Sequence, residues 1–288
     1  MSAAAAKEMV GKSVVVTGAS SGIGAAAAVE LARRGARVTA VGRDEERLAK
    51  VAHAIGEASG EEAPAPLRAD FASLEEVRGL AADIAAGHER IDVLVNNAGL
   101  VTPAGREQTA NGYERTFQVN HLAPFLLTRL LLDRLRESAP ARVVTTSSGA
   151  HYSGHINFDD LQGARDWSSW QAYCDSKLAN VAFTHELARR VEGSEITANC
   201  LHPGMINTRL FRGSRGAMSV GLRVAKPFFG SAKRGAATIV YLATSPEGGE
   251  VSGSYFDDCK RKRPRPEGTD DVTTERLWKV SEELVGLR

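Results

Sequence analysis

Cysteine is scarce in this chain, and the few cysteines form no pattern. Cys174, Cys200 and Cys259 are odd in number and far apart, and no CxxC pair occurs. Such a set argues against a disulfide framework and fits a protein of the reducing cytosol. The absence of a CxxC pair also makes a zinc site unexpected. We therefore expect a cytoplasmic protein without a structural metal.

Long apolar runs and an excess of charge of either sign are also missing. No segment reaches the roughly 18 uninterrupted apolar residues of a membrane-spanning helix, and the alanine-rich start is too weakly hydrophobic for a signal peptide. The net charge is +1, so nothing draws the whole chain to nucleic acid or to an anionic membrane. The basic run from Lys260 to Pro266 is predicted to be a solvated turn. The expected partner is a small molecule.

Strand-like runs alternate with longer helical patterns, and no Pro/Gly/Ser-rich linker divides the chain. Segments such as SVVVTG (Ser13 to Gly18), ARVTAVG and IDVLVNN are short and apolar, and helical patterns follow them. This alternation predicts βαβ units and a parallel sheet with helices on both faces. We predict one Rossmann-type, doubly wound α/β domain over residues 1–288, with about seven strands, the last of them a short GSYF strand.

The stretch TGASSGIG, from Thr17 to Gly24, follows the first strand and opens the first helix. Gly18, Gly22 and Gly24 allow a sharp turn and let the backbone approach a pyrophosphate. The helix N-terminus behind them presents free N–H groups and a positive dipole end. A glycine-rich turn without a ligand is the alternative, but its position after the first strand of an α/β chain favours a dinucleotide.

Tyr173 and Lys177 are four residues apart in a predicted helix, so they share one face. A phenol has a reference pKa of about 10, but an adjacent ammonium stabilises the phenolate. Such a tyrosine can protonate a carbonyl oxygen as hydride arrives, or deprotonate an alcohol in the reverse direction. A YxxxK pair alone is weak evidence, but Ser147 and Ser148 precede this one at a strand end. A hydroxyl there can hold the same oxygen, and strand alternation lets only one of the two face the cleft.

The order of these motifs resembles that of the short-chain dehydrogenase/reductase family. TGxxxGxG is followed by NNAG (Asn96 to Gly99), the serines and YxxxK. AYCDSKLAN, NFDDLQG and the C-terminal YFDDCK resemble the retinol-dehydrogenase-like subgroup, as does the long interval between Ser148 and Tyr173. The resemblance implies hydride transfer between a nicotinamide dinucleotide and a carbonyl compound or alcohol, in a homodimer or homotetramer. Many members of the subgroup carry an N-terminal membrane anchor, which we do not find in this sequence.

The resemblance also assigns roles to residues of this chain. It implies a catalytic set of Asn120, Ser148, Tyr173 and Lys177, with Ser147 as the alternative to Ser148. The cofactor-binding residues that it implies are Gly18, Ser20, Ser21, Gly22, Ile23, Gly24, Arg43, Asp70, Asn97, Gly99, Tyr173, Lys177, Pro203, Gly204 and Thr208.

Three of these assignments carry a specific expectation. The resemblance places Asn120 in a helix, where it holds a water of a proton relay; the alternative is a buried asparagine capping a local bend before Pro124. Asp70 is expected near the adenine. Thr208 is expected at the nicotinamide carboxamide, after the sharp turn formed by Pro203 and Gly204.

The end of the second strand distinguishes NAD from NADP. A carboxylate there hydrogen-bonds the ribose 2′-OH and repels a 2′-phosphate. Here the sequence has Gly42 at that position and Arg43 after it. Arginine suits a phosphate through its fork of charged donors, so we predict NADP(H). The alternatives are that Arg43 is only a solvated charge and that Asp44 reaches the 2′-OH.

Two segments predict a bulky, largely apolar substrate. The insert after Ser148 carries His151, Tyr152, Phe158, Trp167 and Trp170. Residues 204–230 are also rich in apolar side chains, and by resemblance they form a substrate loop or lid. Apolar side chains on a lid exclude water from hydride transfer. The alternatives are that these side chains pack the insert or an interface, and that the whole protein is a catalytically silent NADP-binding sensor or scaffold.

Overall fold

The fold is taken from a computed structural model that describes residues 7–102, 105–204 and 230–288. Its sheet has eight strands in the order β3-β2-β1-β4-β5-β6-β7-β8. All neighbouring strands pair in parallel except β7 and β8, which are antiparallel. The strands are β1 (Ser13–Val16), β2 (Arg37–Gly42), β3 (Leu67–Arg68), β4 (Val93–Asn96), β5 (Ala141–Thr146), β6 (Ile196–His202), β7 (Tyr255–Asp257) and β8 (Lys260–Lys262).

Helices connect the strands and cover the sheet. In the described ranges the α-helices are α1 (Gly22–Arg33), α2 (Glu45–Ser59), α3 (Leu74–Gly87), α4 (Arg115–Phe117), α5 (Ala123–Glu137), α6 (Ser169–Arg190), α7 (Ala232–Thr244), α8 (Pro246–Glu250) and α9 (Asp271–Leu284). A π-helix (Gln118–Leu122) joins α4 to α5, and 3-10 helices cover Gly149–Ser153 and Pro266–Thr269. None of the helices in the described part of the chain is both long and apolar enough to cross a bilayer.

Alternation along the strands places a hydrophobic core on each face of the sheet. In β1, Val15 packs into a core with residues of α3, α5 and α6, whereas Val14 and Val16 pack into a second core with residues of α1 and α7. Successive strand side chains point to opposite faces, so a run of buried valines requires a cover on both sides. The predicted doubly wound fold is therefore confirmed.

The eighth strand corrects the sequence analysis, which counted about seven strands and treated the basic run after Lys260 as a solvated turn. Lys260–Lys262 is instead an exposed edge strand that pairs with β7. The hairpin turn forms at Asp258 and Cys259, which have φ angles of 50° and 59°. Two adjacent residues with positive φ give the tight turn that suits a hairpin. Charged residues are common on edge strands because they discourage pairing with another chain.

Candidate active site

The glycine loop between β1 and α1 has no room for side chains at two of its glycines. Gly18 has a φ of +65°, and a Cβ there would lie 2.7 Å from the Cα of Ala98. A Cβ on Gly24 would lie 2.5 Å from both the side-chain nitrogen of Asn97 and the carbonyl oxygen of Gly18. Gly22 also has a positive φ, of +63°, but a Cβ there would meet nothing within 4 Å. The loop is therefore pressed against the end of β4 on one side and open on the other.

Thr17 fastens this loop to β4, a role that the sequence analysis missed. Its hydroxyl oxygen accepts from the backbone N–H groups of Asn97 at 3.0 Å and Ala98 at 3.1 Å. The side-chain amide of Asn97 donates back to the carbonyl oxygen of Thr17 at 3.0 Å. Asn97 was predicted to contact the cofactor, and its side chain also holds the glycine loop in place. The only sequence signal for Thr17 was its position directly before Gly18.

A cavity of about 1290 Å³ runs from this loop along the carboxyl ends of the central strands. The strand order reverses between β1 and β4, which is where α/β sheets bind dinucleotides. The open backbone of the glycine loop and the free N-terminus of α1 fit a pyrophosphate. Of the predicted site residues, those that line the cavity are Gly18, Ser20, Ser21, Gly22, Ile23, Gly24, Arg43, Asp70, Asn97, Gly99, Tyr173, Lys177 and Pro203.

The remaining predicted residues lie beside this wall or outside the described ranges. Asn120 is hydrogen-bonded to Leu100 and Ser148 to Tyr173, and both of these partners line the cavity. Gly204 follows Pro203 with a φ of +82°, which favours glycine. Thr208 and most of the 204–230 substrate loop lie outside the described residues.

Residues at the end of β2 and directly after it form another part of the cavity wall. Gly42 is buried, and a Cβ there would lie 3.1 Å from the Cβ of Ser20. Asp44 is engaged as the N-cap of α2: its carboxylate accepts from the N–H of Arg47 at 3.1 Å and pairs with the Arg47 guanidinium. Arg43 is exposed on the cavity wall, with no carboxylate within ion-pair distance among the described residues. The Asp44 carboxylate is thus already hydrogen-bonded within the protein, whereas the Arg43 guanidinium is available to a ligand.

At the other end of the cavity, Tyr173 is only 5% exposed. Burial raises the pKa of its phenol to about 12, and a hydrogen bond with Ser148 acts in the opposite direction. The phenol is therefore protonated at neutral pH. The hydroxyl of Ser148 also accepts from the N–H of Ala150 at 3.2 Å, which caps the short 3-10 helix after β5.

Ser147 has a different set of contacts from Ser148. Its side chain is buried, and its hydroxyl donates to the backbone carbonyl of Lys177 at 2.7 Å. Ser147 reaches the cavity wall, but its hydroxyl is used to fasten β5 to α6. Ser148 is the serine whose hydroxyl is hydrogen-bonded to Tyr173.

Lys177 lies one helical turn after Tyr173 and is 4% exposed. Burial lowers the pKa of its ammonium to about 8. The Nζ lies 5.6 Å from the centroid of the Tyr173 ring and donates to the carbonyl oxygen of Thr146 at 3.1 Å. The ammonium is therefore close enough to the phenol to stabilise its ionised form.

Asn120 lies in the π-helix and is fully buried. Its side chain makes paired hydrogen bonds with Leu100, accepting from the N–H at 2.8 Å and donating to the carbonyl at 2.9 Å. It also donates to the hydroxyl of Ser176 at 3.0 Å. A Cβ on Gly99 would lie 3.2 Å from the Asn120 oxygen and 3.5 Å from the Nζ of Lys177, so Gly99 leaves the space in which these two side chains meet. The segment before Pro124 is the π-helix, and both partners of the Asn120 side chain, Leu100 and Ser176, lie outside it.

Three apolar or aromatic side chains of the insert pack into the fold. The His151 ring nitrogen Nδ1 lies 2.6 Å from the carbonyl oxygen of Ser148. Phe158 packs against the core and beneath the guanidinium of Arg276, 4.0 Å from the ring centroid. Trp167 is half-buried. These contacts hold the insert after β5 against the rest of the fold.

Tyr152 and Trp170 are the aromatic residues of the insert with exposed rings. Tyr152 is 48% exposed, and its hydroxyl donates to the carbonyl of Arg263, away from the cavity wall. Trp170 is 45% exposed, three residues before Tyr173 in α6, and the two ring centroids are 6.1 Å apart. Trp170 therefore presents an exposed apolar ring next to Tyr173.

Comparisons with known sequences agree with this geometry. The family pattern described as short chain dehydrogenase matches residues 12–218. Retinol dehydrogenase 13 of Homo sapiens is 45% identical over 284 residues, which cover 96% of this chain and 85% of that protein. Retinol dehydrogenase 14 of Homo sapiens is 42% identical, with 97% of this chain and 88% of that protein covered.

Solved structures give the same result. An uncharacterized protein from Mycobacterium paratuberculosis is 34% identical with a TM-score of 0.75, and 96% of this chain and 94% of that chain are covered. A short chain dehydrogenase from Escherichia coli CFT073, solved in complex with NADPH, is 28% identical with a TM-score of 0.67. The match covers 88% of this chain and 99% of that one.

A dinucleotide cleft at the carboxyl edge of a doubly wound sheet, with a tyrosine and a lysine on its wall, defines a class of oxidoreductase that uses a nicotinamide cofactor. Within that class, the chain belongs to the short-chain dehydrogenase family and is similar to its retinol dehydrogenases. The family predicted from the motifs is thereby confirmed.

Proposed function

We propose that this protein is an NADP(H)-dependent oxidoreductase that transfers hydride between nicotinamide and the carbonyl or alcohol group of a bulky, largely apolar substrate. The observation that carries the proposal is the buried group at one end of the cavity: Tyr173 hydrogen-bonded to Ser148, with the ammonium of Lys177 beside its ring. The glycine loop forms the other end of the same cavity.

In this proposal Tyr173 moves the proton. The nicotinamide, when bound, supplies or accepts the hydride. In the reductive direction the protonated phenol of Tyr173 donates to the carbonyl oxygen, and the hydroxyl of Ser148 hydrogen-bonds the same oxygen. In the oxidative direction the phenolate must form, and the Lys177 ammonium stabilises it against the effect of burial.

The NADP preference rests on Arg43. Its guanidinium is exposed on the cavity wall without a carboxylate partner in the described ranges, and Asp44 is held as a helix cap. The side of the cavity near β2 also carries Arg47 and Lys50. This arrangement favours a phosphate on the ribose over a free hydroxyl. The related Escherichia coli CFT073 protein was solved with NADPH.

The cofactor test compares Arg43→Ala with Arg37→Ala. Arg37 is also exposed, but it begins β2 whereas Arg43 follows the end of that strand, so it is a matched control. We expect Arg43→Ala to weaken NADPH binding by about 1.5–3 kcal/mol, the size of one charge-assisted contact. NADH binding should barely change, and Arg37→Ala should change neither. Equal use of NADH and NADPH by the unmodified protein would refute the preference and direct attention to Asp44.

The apolar substrate rests on Trp170, whose exposed ring lies beside Tyr173. A large exposed apolar side chain next to the proton donor suits an apolar ligand that covers it. The relatives' name, retinol dehydrogenase, also refers to a bulky apolar alcohol.

A homologous series of straight-chain aldehydes tests this proposal by initial rates of NADPH oxidation. We expect kcat/KM to rise with chain length up to a limit, since each buried methylene contributes about 0.8 kcal/mol. Trp170→Ala should flatten the rise, whereas Tyr152→Ala should not, because the equally exposed Tyr152 is bonded to Arg263 and does not lie beside Tyr173. A flat series in the unmodified protein, or a preference for short polar aldehydes, would assign these aromatic residues to packing.

A cytoplasmic location and a homodimeric or homotetrameric assembly complete the proposal. The three cysteines are unpaired, which suits a reducing compartment. Light scattering on the purified protein would test the assembly, and a monomer at all concentrations would refute it.

A further inference from the structure

The carbonyl oxygen of Thr146, the last residue of β5, has an unusual pair of donors. The pairing of β4 with β5 ends at Asn96 and Thr145, so the neighbouring strand extends no further along β5. The carbonyl accepts instead from two side chains of α6: the Nζ of Lys177 at 3.1 Å and the amide of Asn180 at 3.3 Å. The acceptor that orients the Lys177 ammonium is therefore shared with Asn180.

Asn180 in turn interacts with His121. The amide nitrogen of Asn180 is used on Thr146, and its oxygen has no partner at standard hydrogen-bond geometry. The Nδ1 of His121 is buried and also lacks a standard partner, yet a hydrogen bond with Asn180 raises the pKa of this imidazole. An acceptor is needed for that effect, so the interacting atoms are Nδ1 of His121 and the oxygen of Asn180, over a long contact.

His121 is fixed from its other side by the C-terminal helix. Its Nε2 lies 2.9 Å from the hydroxyl of Ser281 in α9. Burial lowers the pKa of His121 to about 4, so the imidazole is neutral at physiological pH. A neutral ring has one donor and one acceptor. With the proton on Nδ1, Nε2 accepts from the Ser281 hydroxyl, so His121 is anchored to α9 while its Nδ1 faces Asn180.

The ring of His121 also has little freedom to turn. It lies in the π-helix directly after Asn120, and its centroid is 5.1 Å from that of Phe117 and 6.4 Å from that of Phe183. The π-helix therefore directs two consecutive side chains to two sites, Asn120 to Leu100 and His121 to Asn180.

We propose that Asn180 and His121 are positioning residues for Lys177: they hold the Thr146 carbonyl at the point where it orients the ammonium beside Tyr173. The role of the ammonium itself rests on the proposed function. Tyr173 is the titratable group facing Lys177, and among the described residues no charged side chain contributes to the pKa of Lys177, which burial alone lowers. The orientation of the Thr146 carbonyl therefore has a large influence on the electrostatic environment of the Lys177 ammonium.

The test uses four variants of the full chain. Asn180→Ala removes the second donor to the Thr146 carbonyl. His121→Phe keeps an aromatic ring in its pocket but removes the donor to Asn180, and His121→Asn restores a donor near the position of Nδ1. Thr184→Val is the control, because the Thr184 hydroxyl is buried in the same helix and donates to the backbone carbonyl of Asn180 rather than to its side chain.

Two readouts separate positioning from general destabilisation. The first is the pKa of Lys177 in the cofactor-free protein, followed by NMR with lysine labelled at Cε and assigned with Lys177→Met. The second is the pH midpoint of kcat for alcohol oxidation with NADP⁺. A loosened carbonyl stabilises the ammonium less, so its pKa falls, and the phenolate of Tyr173 then forms at higher pH.

For Asn180→Ala we expect the pKa of Lys177 to fall by about one unit and the midpoint of kcat to rise by a similar amount. His121→Phe should give smaller shifts in the same directions, His121→Asn should reverse them, and Thr184→Val should give none. Lower activity with both values unmoved would overturn the proposal and leave Asn180 and His121 as packing residues. If Asn180→Ala does not fold, the two His121 variants decide. If the unmodified protein turns over no carbonyl compound, the proposed function fails, while the NMR titration still decides the positioning.

Discussion

The two ends of the cavity are shaped by opposite means. At the glycine loop, side chains are missing: Gly18 and Gly24 have backbone or amide atoms where a Cβ would stand. At α6, side chains are present and buried: Tyr173, Lys177 and Asn120 are each less than a tenth exposed. The glycine loop contributes open space and backbone N–H groups. The α6 end contributes Tyr173 and Lys177, whose pKa values are shifted by burial.

This difference predicts different responses to substitution. A side chain added at the glycine end should block the cofactor and so remove everything that depends on it. Removal of a hydroxyl at the α6 end, from Tyr173 or Ser148, should leave cofactor binding intact and affect the chemistry alone. Substitutions at the two ends either sharpen or break that division, and they are ordered from the largest expected effect on activity to the smallest.

The largest effect is expected from Gly24→Ala. The new Cβ would lie 2.5 Å from the Asn97 amide and the Gly18 carbonyl, both of which belong to the packed side of the loop. Overpacking of this kind costs about 1–3 kcal/mol of stability, and we expect NADPH binding to be lost with the loop geometry. Isothermal titration with NADPH and thermal unfolding measure the two effects.

Gly79→Ala is the matched control. Gly79 lies within α3, and a Cβ there would meet nothing within 4 Å. A helical glycine in open space should tolerate alanine with a gain in stability of about 0.4–1 kcal/mol. Normal NADPH affinity in Gly24→Ala would show that the loop does not need the space assigned to it.

A smaller effect, confined to chemistry, is expected from Ser148→Ala. Its hydroxyl is hydrogen-bonded to Tyr173, and loss of one such preorganised donor lowers kcat on the order of 100-fold. Ser147→Ala removes only the bond to the Lys177 backbone, so it should lower the free energy of unfolding by about 1 kcal/mol and change kcat much less. Steady-state kinetics on both variants decide between them, and the reverse ranking would move the catalytic role to Ser147.

The last prediction concerns stability rather than activity: Lys177 should make the free energy of unfolding depend on pH. Its pKa is lowered from 10.5 to about 8 in the folded protein. Below about 8 the folded state holds a buried ammonium, and between 8 and 10.5 it has lost a proton that the unfolded state retains. The free energy of unfolding should therefore rise with pH across this window, relative to Lys177→Met, by about 3 kcal/mol.

Urea unfolding of both proteins at a series of pH values gives this difference directly. Lys177→Met is expected to be the more stable protein at neutral pH, with its advantage vanishing as the pH rises. If the two proteins differ by a constant free energy of unfolding across this pH range, Lys177 does not lose its proton there. Burial of its ammonium would then cost less free energy than its surroundings suggest.

The fold was largely predictable because alternating strand and helix patterns are local. The exceptions depend on contacts between distant residues. The charged segment Lys260–Lys262 has no apolar pattern, and it becomes a strand only because the turn at Asp258 and Cys259 folds it back onto β7. The π-helix of Gln118–Leu122 left no mark on the helical periodicity, and its Asn120 is held by Leu100, twenty positions away.

The site was predictable where a residue type has a fixed spacing, as in the glycine loop and the pair of Tyr173 and Lys177. The choice between Ser147 and Ser148 required coordinates, because adjacent hydroxyls at a strand end look alike in sequence. The carbonyl of Thr146 left no sequence signal, since every residue has such a group and only the end of β4 leaves this one to side-chain donors. The role of residues 204–230 as a substrate loop stays a prediction, because most of them lie outside the described residues.

The central claim is that Tyr173, at the α6 end of the cavity, exchanges a proton with the substrate oxygen, while a cofactor held at the glycine loop exchanges the hydride. Tyr173→Phe tests it most directly, because it keeps the buried ring and removes only the hydroxyl. NADPH affinity and kcat should be measured on one preparation, by fluorescence titration and by NADPH oxidation with a long-chain aldehyde. The account predicts an unchanged Kd and a fall in kcat of roughly 1000-fold, within the range of general acid catalysis. A variant that keeps the kcat of the unmodified protein, or one that loses NADPH binding in parallel with activity, would contradict it.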